Sequence, residues 1–294
     1  MPRSFLAFLP LCLCILAVHP ALAVPAPLPG TACARLVDHP AGRERLETAI
    51  LHYRGPRGVR VDLVAAIHVG DAAYYRALQK QFLHYDKLLF ELVAPVDADM
   101  ARAGRSDSGL SGVQRWLKDL LQLDFQLDDI DYTRPNFLHA DIGIEELAAN
   151  LRDNLAELLG MMVRWSVIDS VRMRRADGSL RLGGLEFLVA MGRKDRPRAL
   201  KLVLARELVD LDDAMGELGA ATGPGAILIA RRNQVALGVL RKTLDKGARN
   251  VGIFYGAAHL PDLDAHLTRD FGLQRSGSQW LTAWDLSSPA TQEK

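Results

Sequence analysis

A strand, a helix and a second strand can be read in succession between residues 59 and 93, and that succession confines the chain to a sheet with helices packed on it. Val59-Arg60-Val61-Asp62-Leu63-Val64-Ala65-Ala66-Ile67 is β-branched and apolar, as a buried strand is. After His68 and Gly70, Asp71 is a fitting N-cap for a helix over 72–83, where Tyr75, Leu78 and Phe82 fall at helical spacing. Asp86-Lys87-Leu88-Leu89-Phe90-Glu91-Leu92-Val93 is the second strand. So short a unit favours a right-handed crossover with both strand C-termini on one edge, which makes His68 and Glu91 neighbours.

A similar order recurs near the other end. Asn250-Val251-Gly252-Ile253-Phe254-Tyr255 reads as a buried strand, Gly256-Ala257-Ala258-His259 follows it, and Pro261 sits near the first turn of the next helix. Open α/β sheets keep their chemistry at strand C-termini, so His68 and His259 hold matching places. Residues 46–53 pair with 59–67 as a hairpin across Arg54-Gly55-Pro56-Arg57-Gly58, and Trp280 to Trp284 makes a terminal strand. The middle is largely helical. Residues 112–123 look helical, 123–127 alternate like a strand, and Asp141 can cap a helix from near Ile142 whose apolar face runs through Leu147, Leu151, Leu155, Leu158 and Met162 to about Met173. A further helix spans about 198–218. Ala226-Ile227-Leu228-Ile229-Ala230 is ambiguous between strand and helix entry, and leads into a helix over 232–246 with Gly247 as its C-cap.

The expected fold class is α/β, with α+β as the alternative: a central mixed sheet with an N-terminal hairpin, strand-helix-strand units and a largely helical middle segment. One domain covers 46–286 with a helical insertion at about 94–220, after an extended leader over 24–45 and before a flexible tail over 287–294. At 294 residues and 49% hydrophobic, the chain buries one large core or two modest ones. Lys and Arg total 36 against 35 Asp and Glu, which supplies no general attraction for nucleic acid or anionic membrane.

Residues 1–23 have the form of a secretory signal: Arg3, an apolar run from Phe5 to Val18, and Ala21-Leu22-Ala23 as the cleavage site. The apolar run is shorter than the ~20 residues a spanning helix needs, so an exported protein, periplasmic or secreted and without a membrane span after cleavage, is expected. Cys12 and Cys14 fall in that signal, leaving Cys33 alone in a Pro/Gly-rich leader. No intramolecular disulfide is then possible, and a nucleophilic role for Cys33 is disfavoured.

Ala65-Ala66 before His68 and Gly256-Ala257-Ala258 before His259 are small enough to admit a ligand or another backbone. A single strand-end histidine is often just a satisfied polar group. Neutral imidazole is also both the commonest metal ligand and the commonest general base, so spacing does not choose between those roles. Glu91, between Phe90 and Leu92-Val93, has a low-dielectric setting that raises its pKa unless a cation stands beside it; the plain alternative is a carboxylate paired with an arginine. Arg231-Arg232-Asn233 opens a helix, where a guanidinium can polarise a carbonyl or hold Glu91 ionised, or simply be solvated. His139, Glu145 and Glu146 are weaker candidates, because capping and the helix dipole already explain the acidic pair. No H-E-x-x-H, P-loop, G-x-S-x-G or paired C-x-x-C motif is present.

On these residues the chain resembles the TraB/PrgY/GumN family, which includes the Tiki metalloproteases and is related to erythromycin-esterase-like folds. The resemblance runs from about Leu46 to Trp284 through Ala65 to His68, Phe90-Glu91-Leu92, Arg231-Arg232-Asn233 and Gly256-Ala257-Ala258-His259. The family pattern is Gly-x-x-His twice, and this chain has Ala65 at the first glycine, where a methyl can crowd a backbone approach and reduce activity. The resemblance implies a divalent metal, Mn2+ or Co2+, held with help from His68, His259 and Glu91. It also implies hydrolysis of a peptide bond with Glu91 near the attacking water, and site-shaping roles for Arg231 and Asn233. The expectation is therefore an exported metal-dependent hydrolase or peptidase acting on a peptide or protein. In it a metal-bound water attacks, Glu91 takes the proton and Arg231 steadies the oxyanion. Two alternatives stand beside it: a non-catalytic periplasmic peptide-binding or inhibitory protein of the same fold, and a metal-independent esterase-like hydrolase with His68 as base.

Overall fold

The computed structural model describes residues 33–37, 44–92, 121, 123–153, 156, 160, 184–218 and 224–287. In chain order the first half contributes strands β1 (Ala34–Val37), β2 (Arg45–Arg54), β3 (Arg60–Ala66) and β4 (Val69–Gly70), helix α1 (Ala72–Phe82) and strand β5 (Lys87–Phe90). The middle adds β6 (Asp124–Phe125), a single turn α2 (Gln126–Asp129), β7 (Phe137–His139), α3 (Ile144–Asp153), α4 (Gly184–Met191) and α5 (Arg196–Leu218). Then come α6 (Pro224–Asp245), β8 (Asn250–Gly256), α7 (Leu260–Phe271) and β9 (Gln274–Asp285).

Seven of these strands form one mixed sheet, the fold is α/β, and β4 and β6 pair separately. The hairpin of β2 and β3 is antiparallel, with Ile50 opposite Val64 and Arg54 opposite Arg60. The turn between them holds Arg57 and Gly58 in the left-handed region, at φ 58° and 76°. Along its other edge β2 pairs with β9 over its whole length. That leaves β1, which pairs with Arg45 to Thr48, to share the remaining edge of β2 with β3. Past β3 the sheet becomes parallel: β8 pairs with β3 and also with β5, and β7 extends β5.

Both faces of the parallel part are covered, which is why its strands read as continuous apolar runs. Val61, Leu63 and Ala65 pack with Ala236, Leu237 and Leu240 of α6 and with Leu260, Leu263 and Leu267 of α7. Val64 and Ala66 point the other way, toward Tyr75, Leu78 and Phe82 of α1 and Leu200 and Ala205 of α5. The period-two alternation of β3 thus feeds two helical layers.

Several expectations change. The last strand of the parallel set, β8, is inserted between β3 and β5, so these are not adjacent, and His259 rather than His68 stands next to Glu91. The apolar run at 226–230 belongs to α6, because helix is needed there to aim its buried stripe at the sheet. Strand structure at 123–127 is confined to Asp124–Phe125. Asp71 does not cap α1 with its side chain. Its Oδ1 accepts from Lys201 Nζ at 3.1 Å and its Oδ2 from the Asp285 N–H at 2.6 Å, so it ties α1 to α5 and β9. Part of the expected leader is β1, and Cys33 just before it is fully buried in the core rather than extended into solvent.

The signal at 1–23, the leader up to residue 32, Val93, most of the helix over 112–123, the stretch toward Met173 and the tail after Ser287 lie outside the described residues. Among the described residues no helix is long and apolar enough to cross a membrane.

Candidate active site

The backbone leaves β8 at Gly256, makes one 3-10 turn over Ala257–His259 and runs straight into α7, so His259 is fixed at a strand-to-helix junction and buried. Its Nδ1 lies 2.7 Å from Asn233 Oδ1. The amide nitrogen of Asn233 donates to His259 O at 3.1 Å and to Asp262 Oδ2 at 2.8 Å, both acceptors. Asn233 therefore presents its carbonyl oxygen to the ring, which requires a proton on Nδ1. In the neutral imidazole the lone pair is then on Nε2. The Tyr255 ring meets the imidazole edge-on at 5.2 Å, and the Tyr255 hydroxyl donates to Ala140 O.

Glu91 follows β5 directly, and its N–H extends the ladder to Phe254 O at 3.1 Å. Its Oε2 accepts the Gly256 N–H at 2.6 Å, a close approach in which a Cβ at 256 would lie 3.3 Å from that oxygen. Its Oε1 accepts from Arg232 Nη2 at 2.6 Å. Arg232 also forks onto Asp141, Nε to Oδ1 at 2.9 Å and Nη2 to Oδ2 at 2.6 Å. Asp141 is completely enclosed and takes the Ile142 N–H as well, at 2.8 Å. The remaining guanidinium nitrogen, Nη1, lies 3.4 Å from His259 Nε2, which is itself 3.8 Å from Glu91 Oε1.

Burial penalises the charge on Glu91, but His259 when protonated, the Arg232 guanidinium and the Gly256 N–H outweigh it and hold the carboxyl below its ordinary range. Burial pushes the His259 imidazole below its ordinary value, against the pull of Glu91, so it is neutral near pH 7. Burial likewise works against the Arg232 charge and is overcome by Asp141 and Glu91. Two carboxylates and one guanidinium leave the cluster with a formal charge of minus one while His259 is neutral. A proton arriving on Nε2 would cancel it.

Glu91, Asn233 and His259 are thus brought together, whereas Arg231 and His68 are not. Arg231 is half exposed and pairs with Glu146 at 2.9 Å on the surface; its neighbour Arg232 is the arginine that turns inward. One residue rotates a helical side chain by about 100°. In α6 the buried positions Ile229, Asn233, Ala236, Leu237 and Leu240 set the phase, and 232 lies within that stripe. His68 is exposed beyond β3, and it reaches Glu91 only as the weakest of the charge effects named for that carboxyl. Ala65 is fully buried in the layer beneath α6 and α7. His139 is structural, with Nε2 2.7 Å from Leu92 O. Asp141, which the sequence suggests as a helix cap, and Arg232 are the two cluster members that sequence reasoning did not single out.

A metal ion does not fit this arrangement. Among the described residues no group of three or more His, Cys, Asp or Glu side chains is disposed to hold one. Ligands sharing an ion at about 2.0–2.2 Å each stand roughly 3–3.5 Å apart. Glu91 and His259 come near that spacing, but the cation between them is the guanidinium of Arg232, and the two oxygens of Glu91 are already engaged. No protein-family model, curated protein or solved structure matches this chain.

Proposed function

We propose that the protein is a metal-independent hydrolase of a carbonyl substrate, an ester or a peptide bond, with His259 as general base and Arg232 as the cation that steadies the oxyanion. The observation that carries this reading is the pairing of a lone-pair nitrogen with a fixed cation: His259 Nε2 accepts from Arg232 Nη1 at 3.4 Å, and Nη1 is the one guanidinium nitrogen not engaged by a carboxylate. A water that takes the place of Nη1 on Nε2 gives up its proton to the imidazole as its oxygen adds to the carbonyl carbon, while Nη1, released from Nε2, donates to the carbonyl oxygen as that oxygen becomes negative. The imidazolium keeps Nδ1–H on Asn233, is balanced by Glu91 and Asp141, and returns the Nε2 proton to the leaving group when the C–O or C–N bond breaks. Glu91 here orients Arg232 rather than accepting the water's proton, since both its oxygens are engaged and its charge is stabilised. The signal-like residues 1–23 support an exported setting for this chemistry.

The test is turnover of a panel of aryl esters and chromogenic peptides by purified protein, with and without EDTA. The reading expects chelator-insensitive hydrolysis that falls at least about a hundredfold in His259→Gln and is unchanged in Arg231→Gln. Turnover lost to EDTA and restored by Mn2+ or Co2+ would overturn it in favour of the metal-dependent reading. Peptide binding without hydrolysis would overturn it in favour of a binding protein.

A further inference from the structure

A second polar site lies at the opposite end of the sheet, where β3 and β8 begin, about 20 Å from the Glu91 cluster at ~3.3 Å per strand residue. It is a cleft of about 530 Å³ lined by residues of β2, β3, α1, β8 and β9 and of the turn after α1. The hairpin register places His52 opposite Asp62 and Arg54 opposite Arg60, so all four share one face. Asp62 is already spoken for: its Oδ1 accepts from His52 Nδ1 at 2.8 Å and its Oδ2 from the Tyr85 hydroxyl at 2.8 Å. Tyr85 reaches it because β8 has Gly252 at that level, where a Cβ would lie 2.7 Å from the ring.

That leaves two exposed arginines at directly opposed positions, an unfavourable cross-strand pair of like charges. Neither forms an ion pair among the described residues. Asp86 acts on Arg60 only at longer range, and its Oδ2 is occupied by the Arg249 and Asn250 N–H groups, each at 2.9 Å. Because the Asp62 carboxylate can only accept, His52 donates from Nδ1, which leaves Nε2 of the neutral ring as an acceptor for a ligand hydroxyl.

We propose that this cleft binds a small molecule bearing a phosphate group, held between Arg54 and Arg60, with a protonated phosphate oxygen donating to His52 Nε2 as a third contact. A tetrahedral phosphate, even with one oxygen protonated, offers enough oxygens to satisfy two facing guanidinium forks, where a single carboxylate satisfies one. The volume exceeds that of phosphate and falls in the range of small-molecule pockets, so the organic body of the ligand has room. This site is independent of the hydrolase reading.

The experiment is calorimetric titration of the full chain with inorganic phosphate, then with a small phosphate monoester and its parent alcohol, alongside the His52 and His266 ring signals by NMR. Expected are saturable 1:1 binding of phosphate and monoester but not of the alcohol, and at least a tenfold loss of affinity in Arg54→Gln and in Arg60→Gln. Binding should be unchanged in Arg57→Asn, a change at the exposed turn whose left-handed backbone asparagine tolerates. The His52 signals should move and those of His266 should not. No saturable binding, equal affinity in all variants, or an equal loss in Arg57→Asn would overturn the proposal; the last would mark general charge attraction.

Discussion

Arg232 Nη2 stands 2.6 Å from Glu91 Oε1, and this contact joins the first residue beyond β5 to the middle of α6. With both side chains about seven-eighths buried, the pair is an internal ion pair whose guanidinium also serves Asp141. Such pairs add little over apolar packing, but removing one partner strands the other charge.

Arg232→Leu should therefore destabilise the fold by about 3–5 kcal/mol, because it leaves Glu91 and Asp141 buried without their cation. Arg231→Gln, which loses only a surface pair with Glu146, should stay within about 0.5 kcal/mol. Urea denaturation of the two variants beside the parent measures this. A larger loss in Arg231→Gln than in Arg232→Leu would mean that the inward and outward arginines have been exchanged, and equal effects would mean that the buried pair contributes nothing.

Asn233 sets the proton on His259, so its replacement should act on chemistry before binding. Asn233→Ala frees the ring to turn and to shift its tautomer, and kcat should fall roughly a hundredfold with KM little changed. Asn233→Asp keeps an acceptor at Nδ1 but loses the amide's bonds to His259 O and Asp262 Oδ2, so kcat should fall less than in Asn233→Ala, with the acid limb of its pH profile moved upward by the added negative charge. A similar loss in both variants, with no movement of that limb, would assign Asn233 a packing role only.

Much of this was legible because it is local. The hairpin, the strand-helix-strand unit and the strand before His259 each carry their own period, and Gly256-Ala257-Ala258-His259 marks a strand-to-helix junction in four residues. The order of the parallel strands is not local. Nothing within Asn250 to Gly256 says that it slots between β3 and β5, and that insertion decides which histidine meets Glu91. The phase of α6 was available in Ile229, Asn233, Ala236 and Leu240, yet with Ala226 to Ala230 ambiguous the helix start, and so the inward arginine, could not be fixed. Asp141 precedes a helix, where a carboxylate usually serves the nearby N–H groups. It does take that of Ile142, and its bond to a guanidinium 91 residues away leaves no trace in spacing.

Gly252 tests how tightly the sheet is dressed by α1 and the turn that follows it. An alanine methyl there would sit 2.6 Å from Leu88 Cδ1 and 2.7 Å from the Tyr85 ring, and Leu88 is held in the core. Gly252→Ala should cost about 1–3 kcal/mol from overpacking and should loosen the Tyr85 to Asp62 hydrogen bond. Chemical denaturation together with the Tyr85 ring signals reports both. A neutral or stabilising result would mean that Tyr85 does not lie over β8.

Acidification should destabilise the protein in two stages whose direction follows from the cluster. His259, ordinarily 6.5, is lower in the folded state because burial disfavours its charge, so from pH 6.5 downward the unfolded chain binds a proton the folded chain resists. Glu91, ordinarily 4.5, is also lower when folded, since His259, Arg232 and the Gly256 N–H outweigh burial, so the same inequality reappears below 4.5. Both groups thus contribute stability that is complete near pH 7 and is lost as the pH falls through their folded values. Urea midpoints at pH 7.5, 6.5, 5.5, 4.5 and about 3.5 should decline from 6.5 and steepen below 4.5. His259→Gln should flatten the upper part of that decline, and Glu91→Gln the lower part after an overall loss of the Arg232 to Glu91 pair. Stability that instead rose on acidification from pH 7.5 to 5.5 would mean that His259 is held protonated by Glu91 and Asp141, and the neutral base proposed for hydrolysis would have to be given up.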